Sequence, residues 1–196
     1  YHRDVLAAAL PDLTLQALRR PATQAELDEL LILADSLAPL YGGRVATQGV
    51  LATLLQAPEF LFRTEVGTPD PANPGTLRLT DWELASKLSF FLTDAPPDAL
   101  LLAAAGAGDL TAGDLAAHAE RLVATPQARA ALSGWFDQTL ELDRIDTLAK
   151  DATLFPELEA LRPDMHAEIT ELFAATSLDS EGDLRDLLTT NVAYPS

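Results

Sequence analysis

Apolar residues recur along this chain with a period near 3.6, and proline or glycine interrupts them at short intervals. The most apolar run in phase covers residues 51–65. There Leu51, Leu54, Leu55, Leu61 and Phe62 share one face, with Pro58 on the same line. The phase survives the proline, which predicts one kinked helix or two nearly collinear ones, with Pro58 within or at the start of a helix. Leu54, Leu55 and Phe62 are expected to be buried. Phe60 falls roughly opposite that stripe, so the segment is expected to have neighbours on two sides and to organise the core.

Residues 4–18 read as a first helix, interrupted by Pro11, with Leu6, Leu10, Leu15 and Leu18 apolar, and Arg19-Arg20-Pro21 reads as a break. Thr23 and Glu26, and again Thr80 and Glu83, have the Thr-x-x-Glu spacing of a capping box, in which hydroxyl and carboxylate satisfy orphan backbone amides reciprocally. The first box opens a helix carrying Leu27, Leu30, Leu31 and Ala34 that stops near Pro39 and Gly42-Gly43. The second opens a helix with Leu84, Ala85, Leu88, Phe91 and Leu92 on one face while Trp82 and Phe90 reach others, the mark of a central helix. Between them, residues 67–75 hold three prolines and two glycines and read as a surface loop.

Further helices follow. One covers about 98–105 and is closed by Gly106-Ala107-Gly108, and one is capped by Thr111 with Leu115, Ala119, Leu122 and Val123 apolar. Another is launched by Thr125-Pro126 with Ala128, Leu132, Trp135, Phe136 and Leu140 buried. After a looser stretch over 143–155, Arg162-Pro163-Asp164 starts a long helix with Met165 in its core line alongside Ile169, Leu172, Phe173 and Thr176. Asp183 caps a last turn, and residues 189–196 run out extended. No run of strands is evident. The expected fold is all-α, an irregular bundle of seven to nine mostly short helices. Its expected organisation is an N-terminal helical subdomain over 1–66 and a main helical domain over 76–196, packed as one unit.

Charge changes the picture. The 196 residues carry 13 basic and 30 acidic side chains, a formal net charge of −17. Residues 1–50 hold only 4 of the basic and 6 of the acidic residues, so the acidity belongs to the body that follows. Such a field repels phosphate backbones and anionic headgroups, which argues against nucleic acid and membrane surfaces; it suits a basic partner or a salt-rich medium, and most often is simply a solvated surface. No window is apolar enough for a membrane span. Cysteine is absent, which removes disulfides, thiolate catalysis, Fe–S ligation and covalent haem attachment within this chain. The start at Tyr1-His2-Arg3-Asp4 has neither an initiator methionine nor signal-peptide order, which leads us to expect a fragment or a processed chain.

Candidate chemistry is sparse. Gly106-Ala107-Gly108 follows a helix instead of a strand and lacks a third glycine, so it reads as a helix end and not a dinucleotide loop. The 179–183 stretch (Asp-Ser-Glu-Gly-Asp) superficially resembles a calcium loop, but its glycine is fourth and its twelfth residue is Thr190, so a capping loop is expected. His2, His118 and His166 are far apart in sequence, with no helical metal motif. Met165 and His166 point about 100° apart on a helix and cannot sandwich one haem iron. Met165 is expected in the core and His166 at the surface. Paired carboxylates such as Asp81/Glu83 or Asp179/Glu181/Asp183 offer no reason to choose one. Glu65 is expected to find a cationic partner in Arg63, Arg78 or Lys87. No catalytic, cofactor-binding or metal residue is assigned.

Several stretches together carry a resemblance. They are Arg19 to Glu26, Leu54 to Arg63 (Leu-Leu-Gln-Ala-Pro-Glu-Phe-Leu-Phe-Arg) and Leu77 to Leu92, followed in order by Pro97-Asp98, 124–129, Trp135-Phe136, 150–156 and 186–194. The chain resembles consecutive helical domains of unknown function in large secreted planctomycete and myxobacterial proteins, over about residues 19–196. The resemblance implies a middle section of a longer, extracytoplasmic protein whose other segments carry c-type haem, and sometimes carbohydrate-binding-like modules. It transfers no catalytic residue. The family pattern continues where this chain stops, just after Tyr194, and the cysteines of a covalent haem are missing here. Three functions follow as expectations. The first is a structural and interaction module of a cytochrome-associated protein, with no cofactor of its own and with neighbouring domains or a basic redox protein as partners. The second is a pocket-lining part of a haem-dependent oxidoreductase, with Trp82, Phe90, Trp135 and Arg63 as the residues to inspect. The third is a carboxylate-based hydrolase.

Overall fold

The helices form where the capping chemistry starts them, and several of their buried lines run through small residues such as Ala34, Ala46, Ala85 and Ala128 as well as through leucines. A computed structural model of the chain describes residues 2–110, 112–179 and 184–193. The fold is all-α, with one two-stranded hairpin, and it divides into two compact units, Tyr1–Glu120 and Arg121–Ser196.

In the first unit, α1 (Arg3–Leu18) runs through Pro11 without interruption. The ring sits on the exposed side, while Leu6, Leu10, Thr14 and Leu18 form the buried line one turn apart. That burial outweighs the one backbone bond the proline removes. The Thr23 box opens α2 (Gln24–Tyr41): Thr23 Oγ1 accepts from the Glu26 amide at 3.3 Å and Glu26 Oε2 accepts from the Thr23 amide at 2.7 Å. Gly42, at φ 83°, reverses the chain into α3 (Gly43–Leu55). The two helices pack so closely that a Cβ at Gly49 would lie 2.6 Å from Leu37 Cδ1. Leu6, Leu10, Leu30, Leu31, Ala34, Ala46, Val50 and Leu54 form the core of this three-helix group.

The 51–65 segment has Pro58 at the start of a helix and Leu54 buried, as expected, but departs from expectation in its other side chains. It is broken, not kinked: α3 stops at Leu55 and a single turn, α4 (Pro58–Leu61), restarts with Pro58 at its first position. Ala57, at ψ 137°, lies in the extended region, as a residue preceding proline is sterically driven to do. Leu54 is buried, but Leu55 is 52% and Phe62 65% exposed, and Phe60 and Leu61 are exposed as well. The buried line of α3 is Ala46–Val50–Leu54. Leu51 and Leu55 stand one position, about 100°, away from it.

The 67–75 loop is part of a small hairpin. β1 (Thr68–Pro69) pairs antiparallel with β2 (Leu77–Arg78). Asp70 organises the turn by accepting from the Ala72 amide at 2.9 Å and from Asn73 Nδ2 at 2.8 Å. The second box then opens α5 (Asp81–Thr93), and Asp98 caps α6 (Ala99–Ala107) through the Leu101 amide at 2.9 Å. The buried line of α5 is Ala85–Ser89–Thr93. Phe91, expected on the buried face, is 80% exposed because it stands about 200° around the helix from Ser89. Gly108, at φ 74°, closes α6 as expected. The helix α7 (Ala112–Val123) follows, and Thr111, its expected cap, lies outside the described residues.

In the second unit, α8 (Pro126–Leu140) is capped by Thr125 with Pro126 at its first position. A 3₁₀ turn (Leu142–Ile145), α9 (Leu158–Phe173), a π turn (Ala174–Leu178) and α10 (Leu184–Thr189) follow. Phe136 and Phe173 stack with centroids 4.1 Å apart and planes 12° from parallel, joining α8 to α9. That contact fixes the line Ala128–Leu132–Phe136 inward, so Trp135 is 60% exposed and Leu140 is exposed too, against expectation. The α9 helix begins one turn before Arg162, and its Met165 is exposed where a core position was expected. Asp183 and residues 194–196 lie outside the described residues.

Candidate functional site

The site centres on Arg19, the C-cap of α1. Its φ of 59° is left-handed, a conformation glycine adopts more cheaply, so an arginine there is retained against a backbone cost. The residue is only 7% exposed. Its Nη2 donates to the Phe62 carbonyl at 2.9 Å and to the Glu59 carbonyl, satisfying orphan carbonyls at the end of α4. The guanidinium carbon also lies 5.5 Å from the Phe90 ring centroid, and that of Arg63 lies 5.1 Å from the same ring. Burial lowers the pKa of Arg19, nearby Arg63 lowers it further, and Glu59 opposes both.

Arg20 points its charge elsewhere. It forks onto Glu26, Nη2 to Oε1 at 2.7 Å and Nη1 to Oε2 at 3.0 Å, with Glu59 Oε1 at 3.5 Å from Nη2. The Arg20 hydrogen bond is the main reason Glu26 is held at about 2, with the Thr23 bonds of the capping box adding to it against a burial penalty. Glu83 reaches the same value by another route. Burial works against its charge, but it is outweighed by donors from the Gly67, Thr80 and Val66 amides and the Thr80 hydroxyl, at 2.7–2.9 Å. One carboxylate thereby caps α5 and ties down the entry to the hairpin.

Beside these groups lies a cavity of about 250 Å³ lined by Leu18, Arg19, Arg20, Thr64, Thr80, Trp82, Glu83 and Ser86. Trp82 is wedged over α6, where a Cβ added to Gly106 would meet its Cη2 at 3.2 Å. A second hollow, of about 240 Å³, takes Glu26, Glu29 and Glu59 among its walls. In the other unit a larger hollow of about 520 Å³ is mostly apolar, walled by Leu148, Leu154, Phe155, Leu161 and Met165.

Of the residues marked for inspection, the structure joins Arg63 to Phe90 and puts Trp82 in the wall of the neighbouring cavity, whereas Trp135 belongs to the other unit. Glu65 does form the expected ion pair, with Lys87 at 2.7 Å. His166 is half-buried beside Asp137, Nε2 to Oδ2 at 3.7 Å, instead of at the open surface. Asp179, first residue of the calcium-like stretch, is held by Arg129 Nη2 at 2.8 Å, and residues 180–183 lie outside the described residues. Among the described residues no three His, Asp or Glu side chains converge to hold a metal ion, and no helix is long and apolar enough to cross a membrane. Sequence reasoning read Arg19 and Arg20 only as a helix break. The available signal was two adjacent arginines closing a helix in a chain of net charge −17.

Fold and site together define an all-α protein with an arginine-lined cavity between capped helices. The chain belongs to the family described as "Protein of unknown function (DUF1592)", whose model matches residues 79–195. Residues 6–65 match a second model, also described as "Protein of unknown function (DUF1595)". No curated protein and no solved structure matches the chain.

Proposed function

We propose that the chain is a structural and interaction module of a longer, extracytoplasmic, cytochrome-associated protein, where it docks or spaces neighbouring domains. The observation that carries this reading is the uncovered apolar stretch from α3 through α4. There Leu51, Leu55, Phe60, Leu61 and Phe62 are all exposed within twelve residues. Neighbouring apolar groups of this size in water favour a covering partner. The net charge of −17 suits a basic partner, and the resemblance to helical domains of secreted haem proteins supplies the context. Hydrogen exchange tests it. Amides of 51–62 in the isolated chain should exchange faster than the same amides in the longer protein that carries it, and equal rates would refute docking. Haem bands are expected in the visible spectrum of that longer protein.

A second reading, a pocket-lining part of a haem-dependent oxidoreductase completed by other segments, is favoured by the convergence of Arg63 on Phe90 beside the Trp82 cavity. Alanine at Arg63 and Trp82 should then lower turnover of the longer protein; a change in stability alone would eliminate it.

A further inference from the structure

We propose that the cavity bounded by Arg19, Thr64, Trp82 and Ser86 binds a small organic carboxylate, with Arg19 as its cationic anchor. The proposal rests on neither functional reading above. Its first support is how the charges are paired. Arg20 is matched by Glu26 and Glu59, and the Glu83 carboxylate is committed to four donors. Arg19, by contrast, is more than nine-tenths buried, and no carboxylate of the described residues lies within 4.0 Å of it; its hydrogen bonds go only to carbonyls. A buried guanidinium without a matching anion is costly unless something supplies one. Burial first and Arg63 second lower its pKa, against the opposing charge of Glu59.

The lining supplies the rest of a recognition surface. Among the described residues the Thr64 and Ser86 hydroxyls have no hydrogen-bond partner, so both are available to a ligand. Leu18 and the indole of Trp82 provide apolar walls, and packing over Gly106 holds the indole in place. A volume of about 250 Å³ accepts a single-ring acid and little more. Glu83 lines the site and Glu59 stands behind it against Arg20, so a second negative charge on the ligand would be repelled, which favours a monoanionic carboxylate over a phosphate dianion. The left-handed backbone at Arg19 fits as well, because strain of this kind persists where the side chain is needed.

Calorimetric titration of the chain with benzoate, acetate and inorganic phosphate tests the proposal. Benzoate should bind, acetate more weakly because it leaves the Trp82 wall uncovered, and phosphate most weakly. Ser86→Leu fills the cavity while leaving both carbonyl contacts of Arg19 intact, and should weaken benzoate by about tenfold or more. Arg19→Lys keeps the charge but loses the planar guanidinium and should weaken it comparably. Thr64→Val, at an exposed position that does not threaten folding, should weaken it severalfold. No heat with benzoate, unchanged affinity in Ser86→Leu and Thr64→Val with their helical circular dichroism intact, or tighter binding of phosphate than of benzoate would each overturn the proposal.

Discussion

Glu83 carries two jobs on one carboxylate, and its titration follows from them. Its pKa is lowered from 4.5 to about 2, as is that of Glu26, so the stability each contributes is fully present above about pH 4.5. It is lost as the pH falls through the folded value near 2. Glu83→Gln keeps one acceptor oxygen but turns an amide NH₂ toward donors, and should cost about 1–2 kcal/mol at neutral pH. The gap between wild type and variant should close as urea titrations are repeated from pH 5 toward pH 2; a constant gap would show that the charge is not what matters. Gly67 is the second residue to test. Its φ is 68°, and a Cβ there would lie 2.9 Å from the Arg78 carbonyl oxygen across the hairpin. Gly67→Ala should therefore destabilise by about 1–3 kcal/mol, read as a lower denaturation midpoint with an unchanged slope. The capping half of Glu83 was legible from Thr-x-x-Glu spacing. Its bonds to Val66 and Gly67, seventeen and sixteen residues away, belong to the tertiary fold and had no local signal.

At the scale of elements, periodicity located the helices well and oriented them less well. Both capping boxes, the Thr125-Pro126 start, the Gly108 stop and the break before Pro58 were all written in local chemistry. The inward faces were misjudged in part where the buried line runs through small residues, although Ala34 on α2, Ala85 on α5 and Ala128 on α8 had been placed inward. Ala46 on α3, Ala85 and Ser89 on α5 and Ala128 on α8 occupy those lines, because closely packed helices leave no room for larger groups. The bulky neighbours Leu55, Phe91 and Trp135 dominate a hydrophobicity count yet face outward. A paired substitution separates the two assignments of α3. Leu54→Ala should cost about 2–5 kcal/mol, as core truncations do, whereas Leu55→Ala should stay within about 0.5 kcal/mol. Similar losses from both in chemical denaturation would restore the stripe inferred from periodicity. The Arg19 cavity was less legible still. Its walls come from α1, from the end of the 51–65 segment and from α5, and only folding brings those stretches together.

For the whole molecule the governing quantity is charge. Thirty acidic groups against thirteen basic ones leave −17, concentrated after residue 50, and like charges held at folded distances repel. Added salt acts on this repulsion and on the ion pairs in opposite senses. Arg3–Asp35, Lys87–Glu65 and Arg129–Asp179 are all largely exposed pairs. Such pairs contribute little to stability, so screening them loses little. The Arg20–Glu26 fork is shielded further from solvent and should lose less than an exposed pair. The general repulsion has no such ceiling, because every excess carboxylate contributes to it. Raising sodium chloride from about 0.02 M to about 0.5 M shortens the screening length from about 20 Å to about 4 Å, less than the spacing of most surface charges. Stability should therefore rise with salt, each kcal/mol recovered raising the thermal midpoint by about 2–4 °C for a chain of this size. Sodium sulfate would strengthen apolar burial by exclusion as well, so chloride is the cleaner probe. A midpoint that falls between those chloride concentrations would mean that the few ion pairs outweigh the net charge, which their exposure argues against.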